Sequence, residues 1–192
     1  MTQDQALMPQ LITQNGNRVW QNILSVAVGV AFISLLAQIA IPLPFTPVPI
    51  TGQTFGVALT ALLWGRRRGV ATVLTYMTLG GLGLPIFASG HSGLAMGPTL
   101  GYLVGMLIAS YVMGSLADRG WTNKFYKTWF AAFCGSVITF SCGLAVLSFF
   151  IPHSLLLTSG LFPFMPGDVV KTLLASSIAW KINKMVLDQH TK

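Results

Sequence analysis

After a polar start, the chain alternates between long apolar runs and short breaks rich in proline, glycine or basic residues. The runs cover about 21–40, 51–64, 69–88, 98–116 and 129–151, and a last one runs from near Phe164 to a basic tail at Lys181 and Lys184. About 20 apolar residues in a helix cross the roughly 30 Å hydrocarbon layer of a bilayer, so this pattern predicts six membrane-crossing helices. The first run has full span length and lacks a small-residue cleavage site in the expected place, so it reads as a membrane helix rather than a removable signal. The second is short and stops at Arg66-Arg67-Arg68, and the third is interrupted by Gly80-Gly81-Leu82-Gly83-Leu84-Pro85. Between the first two lies Ile41-Pro-Leu-Pro-Phe-Thr-Pro-Val-Pro-Ile50. Proline lacks a backbone donor and disfavours helix in the residue before it, which predicts a stiff, extended connector. The expected organisation is a tail over 1–20, a membrane domain over 21–185 and a second tail over 186–192.

Composition agrees with this pattern. Only 8% of the 192 residues are charged and 53% are hydrophobic, with a mean hydropathy of +0.70. A soluble domain carries about 25% charged residues, and too few are present here to cover a water-facing surface. The formal net charge of +7 does not indicate a nucleic-acid surface, because Lys and Arg sit at the ends of apolar runs instead of clustering with aromatics on a solvated face. Cytoplasmic connections carry the excess of Lys and Arg. With the N-terminus inside, Arg18, Arg66, Arg67, Arg68, Arg119, Lys124, Lys127, Lys181, Lys184 and Lys192 all fall on the inner side, and the outer connectors hold none. Both termini are therefore expected in the cytoplasm, in an all-α, multi-pass protein of the cell membrane. The exception is Lys171, inside the last run.

Ionisable groups within a membrane are costly and are functional candidates by default. Of the four acids, Asp4, Asp118 and Asp188 lie in tails or loops, whereas Asp168 lies in the last run three residues before Lys171. That spacing puts the two on one helix face. The pair reads either as an ion pair fixing one helix against another or as a polar anchor in an apolar pocket, accepting from ligand N–H groups and donating to a ligand oxygen. The outer connectors favour a pocket: one is proline-rich, one is glycine-rich (Ser89-Gly-His-Ser-Gly93) and one is apolar (Ser159-Gly-Leu-Phe-Pro-Phe164). Glycines there allow a backbone to approach a ligand closely. Ala27 and Ala31 form a small-xxx-small spacing on the first helix, suited to close helix contact within the bundle or with a separate membrane subunit.

Other chemistry finds little support. Gly90-His91-Ser92-Gly93 has the Gly-x-Ser-Gly form of an intramembrane serine protease, but that chemistry needs a helix-borne histidine as base, and the last run has none. Cys134 and Cys142 lie eight apart in one run, about 12 Å along a helix, too far for a disulfide, and neither their number nor their spacing suggests a metal site. There is no Gly-x-x-x-x-Gly-Lys-Ser/Thr loop for ATP; if the chain takes part in uphill transport, the energy enters through a partner.

Four segments, in this order, resemble the BioY family: Pro44-Phe-Thr-Pro-Val-Pro-Ile-Thr-Gly-Gln53, Gly81-Leu-Gly-Leu-Pro-Ile-Phe-Ala-Ser-Gly90, Gly97-Pro-Thr-Leu-Gly-Tyr102 and Pro166-Gly-Asp-Val-Val-Lys171. Gly52 departs from the bulkier residue often found before the glutamine. The resemblance implies the six-helix fold of a biotin-specific S component of energy-coupling-factor (ECF) transporters, working with a transmembrane coupling protein and ABC ATPases. It implies that Asp168 and Lys171 hold the ureido head of biotin, that Gln53 and Thr51 lie at the mouth beneath the proline-rich connector, and that Phe87, Gly90, His91 and Tyr102 line the remainder. It also implies Ala27 and Ala31 as the docking face for the coupling protein. Biotin is then the transported ligand and no cofactor is expected. The alternatives are an S component or carrier for another small vitamin and, remotely, a hydrolase using Ser92.

Overall fold

The computed structural model of the chain describes residues 18–94 and 96–190. Its elements are helix α1 (Arg18–Gln38), strands β1 (Ala40–Leu43) and β2 (Thr46–Thr51), helices α2 (Gln53–Gly81), α3 (Leu100–Asp118) and α4 (Phe125–Leu147), the short α5 (Leu156–Gly160) and α6 (Met165–His190). Val19–Gln38, Leu100–Asp118 and Phe125–Leu147 are long and apolar enough to cross a membrane. Their outward faces expose large apolar side chains such as Leu24, Leu35, Ile108, Phe133 and Val137, as expected where lipid takes the place of water. Most of the 1–20 tail lies outside the described residues, and α6 continues as helix through 186–190.

The α2 segment is a helical hairpin. Gly65 adopts φ 76° and ψ −176°, a conformation essentially confined to glycine, and the chain reverses there. Gln53 and Tyr76 would stand about 35 Å apart along a straight helix, yet their side chains are joined by a hydrogen bond of 2.6 Å. The short second run and the Arg66–Arg68 break thus resolve into 53–64 and 66–81 joined at one residue. The third run ends as helix at Gly81, earlier than 88. The chain then turns through Gly83 at φ 107° and Pro85, which cannot donate to a helical ladder.

The expectation of an all-helical fold needs one correction. The proline-rich connector is extended, as anticipated, and it also pairs with itself as an antiparallel hairpin with Ala40 opposite Thr51, Ile41 opposite Ile50 and Leu43 opposite Thr46. The ladder is irregular between Ile41 and Leu43, where Pro42 has no N–H to contribute. A two-stranded ribbon has only edge strands, which is where proline is tolerated.

Small residues bring the helices together. A Cβ on Gly114 of α3 would lie 2.6 Å from the Arg66 backbone, and one on Gly105 would lie 2.8 Å from Thr139 Cα of α4. The larger core joins α1, α2, α3, α4 and α6 through Ile33, Val57, Leu62, Val73, Met106, Ala132 and Ala179. A second, smaller core of Val48, Tyr102, Leu147 and Phe164 lies under the hairpin.

The basic residues collect at one end. The Asp118 carboxylate at the end of α3 accepts from the Arg66 N–H at 3.1 Å, and Arg68 Nε donates to Asn22 Oδ1 near the start of α1 at 2.8 Å. Asn183 of α6 donates to Asn123, between α3 and α4, at 2.8 Å. These bonds tie the start of α1, the bend of α2, the α3–α4 connection and the last turns of α6 into one basic end. Asp168 and Lys171 lie at the other.

Candidate functional site

At the end opposite the basic residues is a cavity of about 390 Å³, within the usual range for small-molecule sites. The proline hairpin supplies Pro47, Val48, Pro49 and Thr51, α2 supplies Gln53 and Thr54, and the glycine-rich loop supplies Phe87 and 88–94 in part. The start of α3 contributes Thr99, Tyr102 and Met106, α4 contributes Thr139 and Phe140, and Phe164, Asp168 and Lys171 close the wall at α6.

Two aromatic walls rest on glycines of the adjoining helices. The Phe87 ring covers Gly80 and the Tyr102 ring covers Gly143, each so closely that a Cβ would collide with it. Tyr102 donates its hydroxyl to Gly160 O at 2.7 Å, so its polar tip is satisfied while its ring faces Phe140 and Phe164 at centroid distances of 6.4 Å. Phe87 packs edge-on against Tyr76 at 5.3 Å, and Gln38 of α1 reaches the Phe87 carbonyl at 3.3 Å.

The polar groups converge from three elements. Lys171 Nζ donates to Thr51 O at 2.7 Å and reaches Thr54 Oγ1 at 3.5 Å. An ammonium has three N–H donors, so these two contacts leave one unassigned. Lys171 thus bonds to the entry of α2, and its charge also acts on the Asp168 carboxylate three residues before it on the same helix. The lysine holds α6 against the end of β2, the fixing role considered for an Asp168–Lys171 ion pair. Asp168 is faced by the Ser136 hydroxyl of α4, which leaves acceptor capacity on the cavity side, since a carboxylate offers about four lone-pair sites.

Of the eight residues predicted for the site, Asp168, Lys171, Thr51, Gln53, Phe87, His91 and Tyr102 line this cavity. Gly90 is not in its lining; it sits at φ 73° in the turn behind Ser89, itself left-handed at φ 55°. Gln53 is buried below the mouth, with its amide engaged by Thr51 and Tyr76. Thr54, Tyr76, Met106, Ser136, Thr139 and Phe140 were not anticipated. They occur singly within apolar runs, and no spacing in the sequence marks them. Ala27 and Ala31 are exposed on α1, which removes the reading of this spacing as a contact inside the bundle. The Ser92 hydrolase finds no support: the His91 ring is turned to Ala88 O, with Nδ1 at 2.8 Å, away from the role of base to its neighbour. Among the described residues, no cluster of His, Cys, Asp or Glu fit for a metal ion occurs, and Cys134 and Cys142 are free thiols.

These features define a helical membrane protein with a largely apolar cavity at the end opposite its basic residues. The chain belongs to the BioY family, whose model matches residues 8–188. It is 35% identical over 163 residues to the biotin transporter BioY of Thermotoga maritima, covering 83% of this chain and 94% of that protein. It is also 35% identical over 158 residues to the biotin transporter BioY2 of Lactococcus lactis, covering 79% of this chain and 84% of the relative. The crystal structure of the S-component for biotin from an ECF-type ABC transporter superposes with a TM-score of 0.81 at 29% identity, over 89% of this chain and 95% of that one. A family of transporter components leaves no role for an enzymatic serine.

Proposed function

We propose that this chain is the biotin-binding S component of an ECF-type vitamin uptake transporter, with six membrane helices, both termini in the cytoplasm and the cavity open to the outside of the cell membrane. The observation that carries this reading is the convergence of one carboxylate and one ammonium in a largely apolar cavity, in a family whose relatives are biotin transporters. Biotin offers two ureido N–H donors, a strong carbonyl acceptor, an apolar ring and chain, and a terminal carboxylate. Asp168 accepts from the ureido N–H groups, and the third N–H of Lys171 donates to the ureido oxygen. Phe87, Tyr102, Phe140 and Phe164 cover the ring and chain, and the glycine-rich loop faces the carboxylate.

The gathering of Arg66–Arg68, Arg119, Lys124, Lys127, Lys181 and Lys184 at the end away from the cavity supports the orientation, since cytoplasmic ends carry the positive excess. The halves of α2, with α1, α3, α4 and α6, make up the six crossings. The exposed Ala27 and Ala31 on α1 give a transmembrane coupling protein a surface on which backbones approach closely. ATPase subunits bound to that protein supply the energy.

Equilibrium binding of biotin to the purified chain in detergent, alongside Asp168→Asn and Lys171→Ala, tests the reading. Tight binding by the parent and its loss in both variants is expected. A folded parent that ignores biotin, or variants that bind it as the parent does, overturns it. Competition by other cyclic ureides and amides separates biotin from another small vitamin.

A further inference from the structure

The two cavity walls built outside the long helices are tied together through one buried pair of side chains. Gln53, 6% exposed, stands in the first turn of α2, and Tyr76, 1% exposed, stands in its second half. Thr51 Oγ1, at the end of the proline hairpin, donates to Gln53 Oε1 at 3.0 Å. Gln53 Nε2 donates to the Tyr76 hydroxyl at 2.6 Å, and that hydroxyl donates to Ile86 O of the glycine-rich loop at 3.0 Å. The directions are forced. A carbonyl only accepts, so the single hydroxyl proton of Tyr76 goes to Ile86, and Tyr76 must accept from an amide N–H. That turns the amide oxygen of Gln53 toward Thr51, whose hydroxyl must then be the donor.

Both ends of this relay carry cavity-lining groups. Thr51 O receives the Lys171 ammonium at 2.7 Å. On the far side, Phe87 follows Ile86, packs its ring on Tyr76 at 5.3 Å, and donates its N–H to His91 O at 3.0 Å. A continuous path therefore runs from Lys171 through Thr51, Gln53 and Tyr76 to Phe87 and His91. A relay of this kind is lost as a unit, because removing one member leaves its buried neighbours unpaired.

We infer that Gln53 and Tyr76 are positioning residues that fix the glycine-rich wall relative to the proline hairpin, so that the two walls hold a ligand as one unit. Neither needs to touch the ligand. The inference rests on the biotin-binding reading only for its effect on affinity, because the coupling itself is a property of the chain alone.

Backbone hydrogen exchange of the purified chain, read segment by segment, tests the coupling without any ligand. In Gln53→Leu, exchange over 86–93 is expected to rise several-fold, together with that over 39–52, although Gln53 bonds to no residue of 86–93. In Tyr76→Phe, which keeps the ring against Phe87, the same loop is expected to loosen. Each substitution deletes two bonds of the relay, and biotin dissociation from each variant is expected to quicken about tenfold or more, with the double variant no faster than the worse single one. Exchange confined to 39–52 in Gln53→Leu, an unchanged loop in Tyr76→Phe, or additive effects in the double variant overturns the inference. If Gln53→Leu does not fold, Tyr76→Phe decides alone. A parent that fails to bind biotin overturns the ligand assignment and leaves the exchange result to judge the relay.

Discussion

At the bend of α2 the helices meet backbone to backbone. Gly114 leaves room for nothing beyond a hydrogen against Arg66, Gly69 lies on Ala61 at a would-be Cβ distance of 3.0 Å, and the Asp118 carboxylate caps the N–H of Arg66. At the opposite end the same helices enclose a cavity of about 390 Å³, whose ring-on-glycine walls are joined to one another by polar ties: Lys171 on Thr51, Gln53 on Tyr76, Tyr76 on Ile86 and Tyr102 on Gly160. Both ends use close packing and hydrogen bonds, and they differ in what lies between: at the first the backbones themselves touch and leave no room for added volume, whereas at the second the packed rings and directional bonds surround a space. The contrast predicts that substitutions at the first end register as stability and those at the second as ligand affinity.

The sharpest test is Lys171→Ala. It removes the ammonium that both anchors Thr51 and donates into the cavity, and biotin affinity is expected to fall about a hundredfold or more, as for truncation of one partner of a buried charged pair. Size-exclusion elution of the variant should remain that of the folded parent. Next is Gly114→Val, expected to cost about 1–3 kcal/mol through overpacking against the Arg66 backbone. It should lower the thermal midpoint in detergent while the folded fraction keeps the parent's dissociation constant. A large affinity loss with an unchanged midpoint would break the division between the ends.

Tyr102→Phe keeps the aromatic wall and deletes the bond to Gly160. Gly160 ends the short α5, and even between membrane helices such a bond contributes only about 0.6 kcal/mol on average, up to roughly 1.7. Biotin affinity is therefore expected to weaken by a small factor, measurable by titration calorimetry, with little change in thermal midpoint. The smallest effect on the isolated chain belongs to Ala27→Leu with Ala31→Leu. Biotin binding and melting should match the parent, and co-purification with the coupling protein should be lost. A drop in stability instead would return this face of α1 to the interior of the bundle.

Much of this contrast was legible in the sequence. Apolar runs mark the long helices because a bilayer demands length and low polarity, and the basic residues mark one end because they follow a single rule. Seven of the eight predicted site residues share one cavity because the segments 44–53, 81–90, 97–102 and 166–171, which carry all of them but the adjoining His91, are brought to the same end by the fold. What escaped was pairing at a distance. Lys171 has a carboxylate three positions away, yet its ammonium also bonds a carbonyl 120 residues earlier, and a backbone oxygen carries no sequence signal. Tyr76 is one more aromatic in an apolar run until the α2 bend brings it to Gln53. The self-pairing of the proline hairpin was hidden because four prolines argue against a strand in the middle of a sheet and are silent about a two-stranded ribbon.

The reversal at Gly65 has a consequence for how this chain can vary. Because a single residue joins the two halves of α2, their rotational phase is locked, and there is no slack to absorb an insertion or deletion. Adding one residue after Gly65 would turn the second half by about 100° about its axis relative to the first, carrying Tyr76 away from Gln53 and Phe87 out of the cavity wall. Length changes and inserted tags are therefore barred from this point, although it lies at the end of the molecule remote from the ligand cavity. The bend acts as an index mark, setting at one end of the bundle which side chains face each other at the other.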